Sequence, residues 1–262
     1  MTYEARAGGD FERAAETGAS DAAQGFPRPR PVLVIMHGEA SSAGRIGQAL
    51  ARRGHSLDIR KPRFGCALPE RLETHAGIVV FGGPMSCNDP DDYLKREIDF
   101  LGEALKQGVP FLGICLGAQM LAKQLGAKVS KHPGGSVEIG YHPVAPTAEG
   151  STFGPWPARV YQWHREGFEL PAGCARLATG PIFENQAYSF GPRCIGLQFH
   201  PEITYAMVNR WTVMAKDWTG KPGAQDRGHQ LSNHLLNAPA IGVWLERLLD
   251  GWLGVRTAAI AA

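Results

Sequence analysis

No stretch of this sequence is apolar for long enough to span a bilayer, and no two of its cysteines form a C-x-x-C pair. The first absence excludes a transmembrane helix as the organising element. The second comes with an odd count of five scattered cysteines, Cys66, Cys87, Cys115, Cys174 and Cys194, and argues against disulfide staples and a metal site of the structural zinc kind. Charge is nearly balanced, with 27 Lys and Arg against 25 Asp and Glu, and no Lys/Arg stripe gathers anywhere. An electrostatic nucleic-acid binder is therefore not expected. The N-terminus has neither the basic start nor the apolar run of a signal peptide. Unpaired thiols without a leader give the expectation of a cytoplasmic protein that needs no metal and no organic cofactor. There is no internal repeat.

What is present suffices for a large core, since the chain has 262 residues. Residues 1–30 are rich in Ala, Gly, Glu, Asp and Arg without an apolar period, and are expected to form a flexible N-terminal extension. From there short β-branched runs alternate with helical patterns that end in glycine. Strands are expected within 31–38, 56–62, 76–84 and 109–114, and helices within 43–54, 91–108 and 116–126. Strand followed by helix, with strands apolar throughout, predicts an α/β fold with a doubly wound, mainly parallel sheet and helices on both faces. The second half changes to short alternating segments, such as "SVEIGYHPV" and "CIGLQFHPE", which predict a small antiparallel extension. Two helical stretches follow, 203–218 and 231–253. The division expected is an α/β domain over 31–205 and C-terminal helices over 206–262 that pack on it, with docking on a partner as the alternative.

The segment "GICLG" places Cys115 in a Gly-x-nucleophile-x-Gly frame between a predicted strand and a predicted helix. In open α/β sheets this frame is a tight elbow that lifts the nucleophile above the carboxyl edge, where such proteins bind ligands. The Leu116 N–H then sits at a helix start, able to donate to an oxyanion and, with the helix dipole, to favour a thiolate. A nucleophilic cysteine needs a base. In "GLQFHPE", His200 and Glu202 are two residues apart and so point the same way in extended chain, the relation by which a carboxylate orients an imidazole. In "VVFGGPMS", a Gly-Gly-Pro at another strand end can turn the Gly83 N–H toward a reacting carbonyl. Each feature alone has a plain structural reading: a packed thiol, a surface histidine, an ordinary turn. Three at three strand ends, each suited to one part of acyl transfer, favour the chemical one.

With "FGGPMS", "GICLGAQMLA" and "GLQFHPE" in that order, the chain resembles the class I (triad) glutamine amidotransferases over about residues 32–205. It is most similar to stand-alone members like the glutaminase domain of GMP synthase. The resemblance implies that Cys115 attacks the side-chain amide of L-glutamine or another γ-glutamyl amide. His200 would act as base and then protonate ammonia, Glu202 would orient His200, and Gly83 and Leu116 would form the oxyanion hole of a γ-glutamyl thioester pathway. It also implies substrate contacts at Gly82, Gln119, Trp163 and His164, with a structural hydrogen bond the competing role for His164. Glu166 stands where relatives of that subgroup usually carry Asp, which leaves the contact at the substrate's amino-acid end open. Cys87 replaces an expected aliphatic residue and reads as an inert thiol. No Walker-type loop and no Gly-rich ATP-pyrophosphatase turn occurs, so the ammonia acceptor is expected on a separate synthetase chain. A γ-glutamyl peptide or amine hydrolase using the same triad is the alternative, and a non-catalytic regulatory subunit a further one. An α/β-hydrolase fits less well, because its acidic residue precedes the histidine.

Overall fold

Residues whose side chains are apolar at every position of a short run have to be covered on both faces, and four such runs form the middle of the sheet. In a computed structural model that describes residues 29–214 and 218–254, the chain runs β1 (Val32–Ile35), α1 (Gly44–Arg52), β2 (Leu57–Arg60), β3 (Gly77–Val80), α2 (Asp92–Lys106), β4 (Phe111–Ile114) and α3 (Leu116–Gln124). It continues through β5 (Val129–Lys131), β6 (Glu138–Pro143), β7 (Ala145–Pro146), β8 (Arg159–His164), β9 (Glu166–Phe168), β10 (Ala175–Thr179), β11 (Asn185–Ser189) and β12 (Cys194–Leu197) to α4 (Tyr205–Met214) and α5 (Arg227–Leu253). Every residue of β1, β3, β4 and β12 is buried.

These strands stand in the order β2-β1-β3-β4-β12-β11-β10-β7. The first five are parallel and the last three antiparallel. The doubly wound sheet is as the sequence predicts. The antiparallel extension takes two forms: three strands continue the main sheet, while β5–β9 and β6–β8 form separate two-stranded ribbons. The pleat sorts side chains between two cores. Val32 and Val34 face Ile46 and Leu50 of α1 together with Trp244, Leu248 and Trp252 of α5. Leu33 and Ile35 face Leu94 and Leu101 of α2 together with Met120 and Leu121 of α3.

Helix α5 begins at Arg227 rather than 231, because Asp226 Oδ1 accepts from His229 N at 2.9 Å and caps the extra turn. Its residues Ile241, Trp244, Leu245, Leu248, Leu249 and Trp252 recur at helical spacing and are all buried. Gly77 makes room for the last of them: a Cβ there would lie 2.7 Å from Trp252 Cη2. Helix α4 covers Tyr205–Met214 of the expected 203–218, and residues 215–217 of that expectation lie outside the described residues. The expected extension over 1–30 lies outside them up to residue 28, as do residues 255–262. The segment between α4 and α5 joins the β6–β8 ribbon, with Val137 N donating to Pro222 O and Gln225 N to Ile139 O, both at 2.9 Å. Among the described residues no helix is long and apolar enough to cross a membrane.

Since Trp252 is fully buried between α5 and the sheet, Trp252→Ala should cost about 3–5 kcal/mol of stability. Urea denaturation followed by circular dichroism measures it. A cost under about 1 kcal/mol would mean that α5 is not part of the cooperative core.

Candidate active site

Parallel pairing brings three distant segments side by side. Gly113 of β4 is in register with Val80 of β3 on one side and Gly196 of β12 on the other. The carboxyl ends of these three strands therefore carry Gly82–Gly83, Cys115 and His200 into one space. Cys115 N donates to Leu197 O at 2.7 Å, which locks the turn to β12.

Cys115 has φ 50 and ψ −104, and is the one non-glycine residue with positive φ among the described residues. Both glycines of its frame are demanded by close approach. A Cβ at Gly113 would lie 2.7 Å from Gly117 O, and one at Gly117 would lie 2.1 Å from Val80 O. The thiol is buried, with Gln198 Nε2 at 3.7 Å and the Trp163 carbonyl oxygen at 3.9 Å from Sγ. Leu116 opens α3, so its N–H is unpaired by the helix itself.

His200 Nδ1 lies 2.8 Å from Glu202 Oε1, and both side chains are almost completely buried. Burial alone would push the imidazolium pKa down. The charges of Glu202 and Cys115 and hydrogen bonds to both reverse this and raise it from 6.5 to about 10. The site thus favours a protonated ring between two groups that welcome the charge. The Trp211 ring stands edge-on to His200 at 5.0 Å between centroids. Helix α1 holds the loop after His200, with Arg45 N donating to Glu202 O at 2.9 Å and Arg45 Nε to Ile203 O at 3.0 Å.

Gly82 lies in the crook between nucleophile and imidazole: a Cβ there would be 2.8 Å from His200 Cε1 and 3.4 Å from Cys115 Cβ. Gly83, Met85, Cys115, Gln119, Trp163, His164 and Trp218 line the adjoining pocket. Gln119 Nε2 donates to Glu166 O at 2.8 Å and to Gln198 Oε1 at 3.2 Å. The two nitrogens of His164 are each within 2.9 Å of an oxygen, Nδ1 of Glu166 O and Nε2 of Glu138 Oε2. The Glu166 carboxylate accepts from Ser86 Oγ at 2.7 Å, so it is tied to the Gly-Gly-Pro loop. Cys87 is buried, and desolvation pushes its thiol up to about 11, the behaviour of an unreactive thiol. Among the described residues no group of three or more His, Cys, Asp or Glu is placed to hold a metal ion.

The sequence reading missed three residues of this site. Gln198 precedes His200 by two, and the same alternation that pairs His200 with Glu202 would have pointed to it. Trp211 and Trp218 lie in the C-terminal region and carry no local signal.

Sheet and site define an α/β protein with a thiol, an imidazole and a carboxylate clustered at the carboxyl edge of its parallel strands. The chain belongs to the glutamine amidotransferase class-I family, whose model matches residues 38–208. It is 29% identical over 188 residues to the glutamine amidotransferase-like protein YfeJ of Salmonella typhimurium, covering 68% of this chain and 77% of that one. It is 33% identical over 200 residues to the glutamine-hydrolyzing GMP synthase of Aeropyrum pernix, covering 74% of this chain but only 36% of the synthase. Among solved structures, a glutamine amidotransferase of Thermotoga maritima superposes with a TM-score of 0.78 at 33% identity, covering 86% of this chain and 98% of the other. One from Methylobacillus flagellatus gives 0.81 at 26%, covering 86% and 95%.

Because the folded pKa of His200 exceeds the unfolded one, its proton adds stability that is complete below about pH 6.5 and lost as pH rises through about 10. Glu202→Gln should lower this pKa, so the Tm gap between wild type and variant should narrow steadily as pH rises from 6.5 to 10. Melting curves across that range, with NMR titration of the His200 ring, measure both effects. A constant gap with a ring that titrates near 6.5 in wild type would refute the ion pair.

Proposed function

We propose that this protein hydrolyses the side-chain amide of glutamine through a γ-glutamyl thioester on Cys115. The observation that carries the reading is the buried cluster of Glu202, His200 and Cys115, in which the carboxylate holds the imidazole and only Gly82 lies in the crook between that ring and the cysteine on its strained turn. With its proton taken by His200, Cys115 adds as a thiolate to the amide carbon, and the carbonyl oxygen becomes an oxyanion held by the N–H groups of Gly83 and Leu116. His200 gives its proton to the amide nitrogen, the C–N bond breaks and ammonia leaves. The neutral ring then takes a proton from water, whose oxygen attacks the thioester. The sulfur departs as thiolate and glutamate is released. Glutamine and water become glutamate and ammonia, with every proton returned.

Gln119 and the backbone around Gly82, Trp163 and His164 bind the amino-acid end in this reading. The occupied ring of His164 favours a role in fixing that backbone over direct contact. Ammonia passes to a separate synthetase chain. Support comes from relatives named as glutamine-hydrolyzing GMP synthases, of which this chain spans about a third.

Purified protein incubated with L-glutamine should release glutamate, and Cys115→Ala should reduce the rate by roughly 10⁴-fold or more. Glutathione run in parallel separates the readings. Turnover of the peptide with none of glutamine would make the protein a γ-glutamyl hydrolase. Glutamate release that survives Cys115→Ala would overturn the mechanism.

A further inference from the structure

A buried pair outside the triad backs the same strand end. His37 follows β1, and Glu97 projects from the inner face of α2; both are fully buried. His37 Nε2 lies 2.8 Å from Glu97 Oε2, and on the other side of the ring Nδ1 lies 3.3 Å from Gly82 O. The ring also abuts the next residue, since a Cβ at Gly83 would be 2.8 Å from His37 Cβ. Both contacts are hydrogen bonds when the set holds two protons: either an imidazolium with a carboxylate, or a neutral ring with a carboxylic acid. In both cases Nδ1 carries a hydrogen and donates to Gly82 O.

The acceptor matters because of the peptide it belongs to. The Gly82 carbonyl and the Gly83 N–H are two ends of one planar, conjugated unit. A hydrogen bond donated to the carbonyl draws electron density from the nitrogen, so the N–H becomes a stronger donor. It also fixes the rotation of a Gly-Gly peptide that has no side chain to fix it. We propose that His37, held by Glu97, is a positioning residue that aims and polarises the Gly82–Gly83 peptide, so that the Gly83 N–H is set for a developing oxyanion. This inference deepens the acyl-transfer reading of Cys115 and rests on it, though not on glutamine as the substrate.

Two reagents separate the role from mere structural support. p-Nitrophenyl acetate acylates Cys115 through a tetrahedral oxyanion, forming an acetyl thioester and releasing p-nitrophenolate. Iodoacetamide alkylates the same sulfur by displacing iodide, with no oxyanion. In full-length protein, with Cys115→Ala as background, His37→Phe should slow acylation about tenfold, less than the loss from deleting a direct oxyanion donor. Alkylation should stay within about twofold, since no oxyanion forms. His37→Asn, whose amide N–H overlays the Nδ1 edge, should recover most of the rate. Should His37→Phe fail to fold, Glu97→Leu, which strips Nε2 of its carboxylate and frees the ring, takes its place and should slow acylation several-fold, again sparing alkylation. Equal slowing of both reactions, or of neither, overturns the proposal, as does a Cys115 that p-nitrophenyl acetate does not acylate in wild type. If the acylation pattern appears while glutamine is not hydrolysed, the glutaminase reading falls and the assignment of His37 stands.

Discussion

The backbone of Cys115 is held at φ 50, a conformation that costs a non-glycine residue about 1–3 kcal/mol, and the site depends on keeping it there. The hold is distributed. Cys115 N is bonded to Leu197 O, and Cys115 O accepts from Gln119 N at 3.0 Å, so the turn is pinned to β12 before it and to α3 after it. Gly113 and Gly117 let the backbone of β4, α3 and β3 approach to distances that any side chain would forbid. Strand β4 can bear this because it lies inside the sheet, buried at all four residues between β3 and β12. Relaxing Cys115 would mean moving backbone that both cores grip. The strain is thus a local cost carried by a global packing arrangement.

Around that turn the interior is unusually polar, and the polarity is organised. Three buried histidines each pair with a buried glutamate: His200 with Glu202, His37 with Glu97 and His164 with Glu138. Removing such groups from water is expensive unless each finds its partner, so every pair fixes two side chains at once. Glu138 shows the balance. Burial would raise its pKa, yet the hydrogen bond and charge of His164, with a further bond from Gln186, bring it below the ordinary value. What His164 gains in rigidity it passes to the β8–β9 junction. There the carbonyl of Trp163 faces Cys115 and that of Glu166 holds both Gln119 and His164. The pairs differ in what they fix: a ring beside the thiol, the Gly82–Gly83 peptide, and a backbone edge along the pocket.

How much of this was legible in the sequence follows from how local each signal is. The Gly-x-Cys-x-Gly frame and the His200–Glu202 spacing are contained in a few residues, and alternation along an extended chain is enough to read them. The doubly wound sheet was readable from periodicity, because fully buried parallel strands have to be apolar throughout. His37 was read only as the end of a strand before a glycine. Glu97 does leave a trace. It lies on the stripe that Leu94 and Leu101 define, where a charge has no business unless it is paired. Its partner is 60 residues away across two strands, and no pattern in either segment announces the other. The split of the second half into three sheet strands and two ribbons was equally hidden, since pairing depends on partners rather than on the alternation that all these segments share.

The C-terminal region shows why a family match is not the boundary of a site. The matched stretch ends at residue 208, inside α4, yet the walls of the pocket continue beyond it. Trp211 stacks edge-on against His200, and its ring also meets those of Tyr161 and Trp163 at 6.0 and 5.9 Å. Trp218 lines the same pocket as Cys115, with the Arg165 guanidinium 5.1 Å and the Lys221 ammonium 4.5 Å from its ring centre. That indole is anchored through the segment that follows it. Gln225 bridges Tyr141 N and O with its side-chain amide at 2.9 and 2.8 Å, and Gly223 at φ 88 passes so close to Val137 O that a Cβ would lie 2.0 Å from it. The strained turn at Cys115 stands at the carboxyl edge of the sheet, with the His–Glu pairs packed around it. The cover over them is built by the C-terminal elements, and α5, whose tryptophans fill one of the two cores, ties that cover to the sheet.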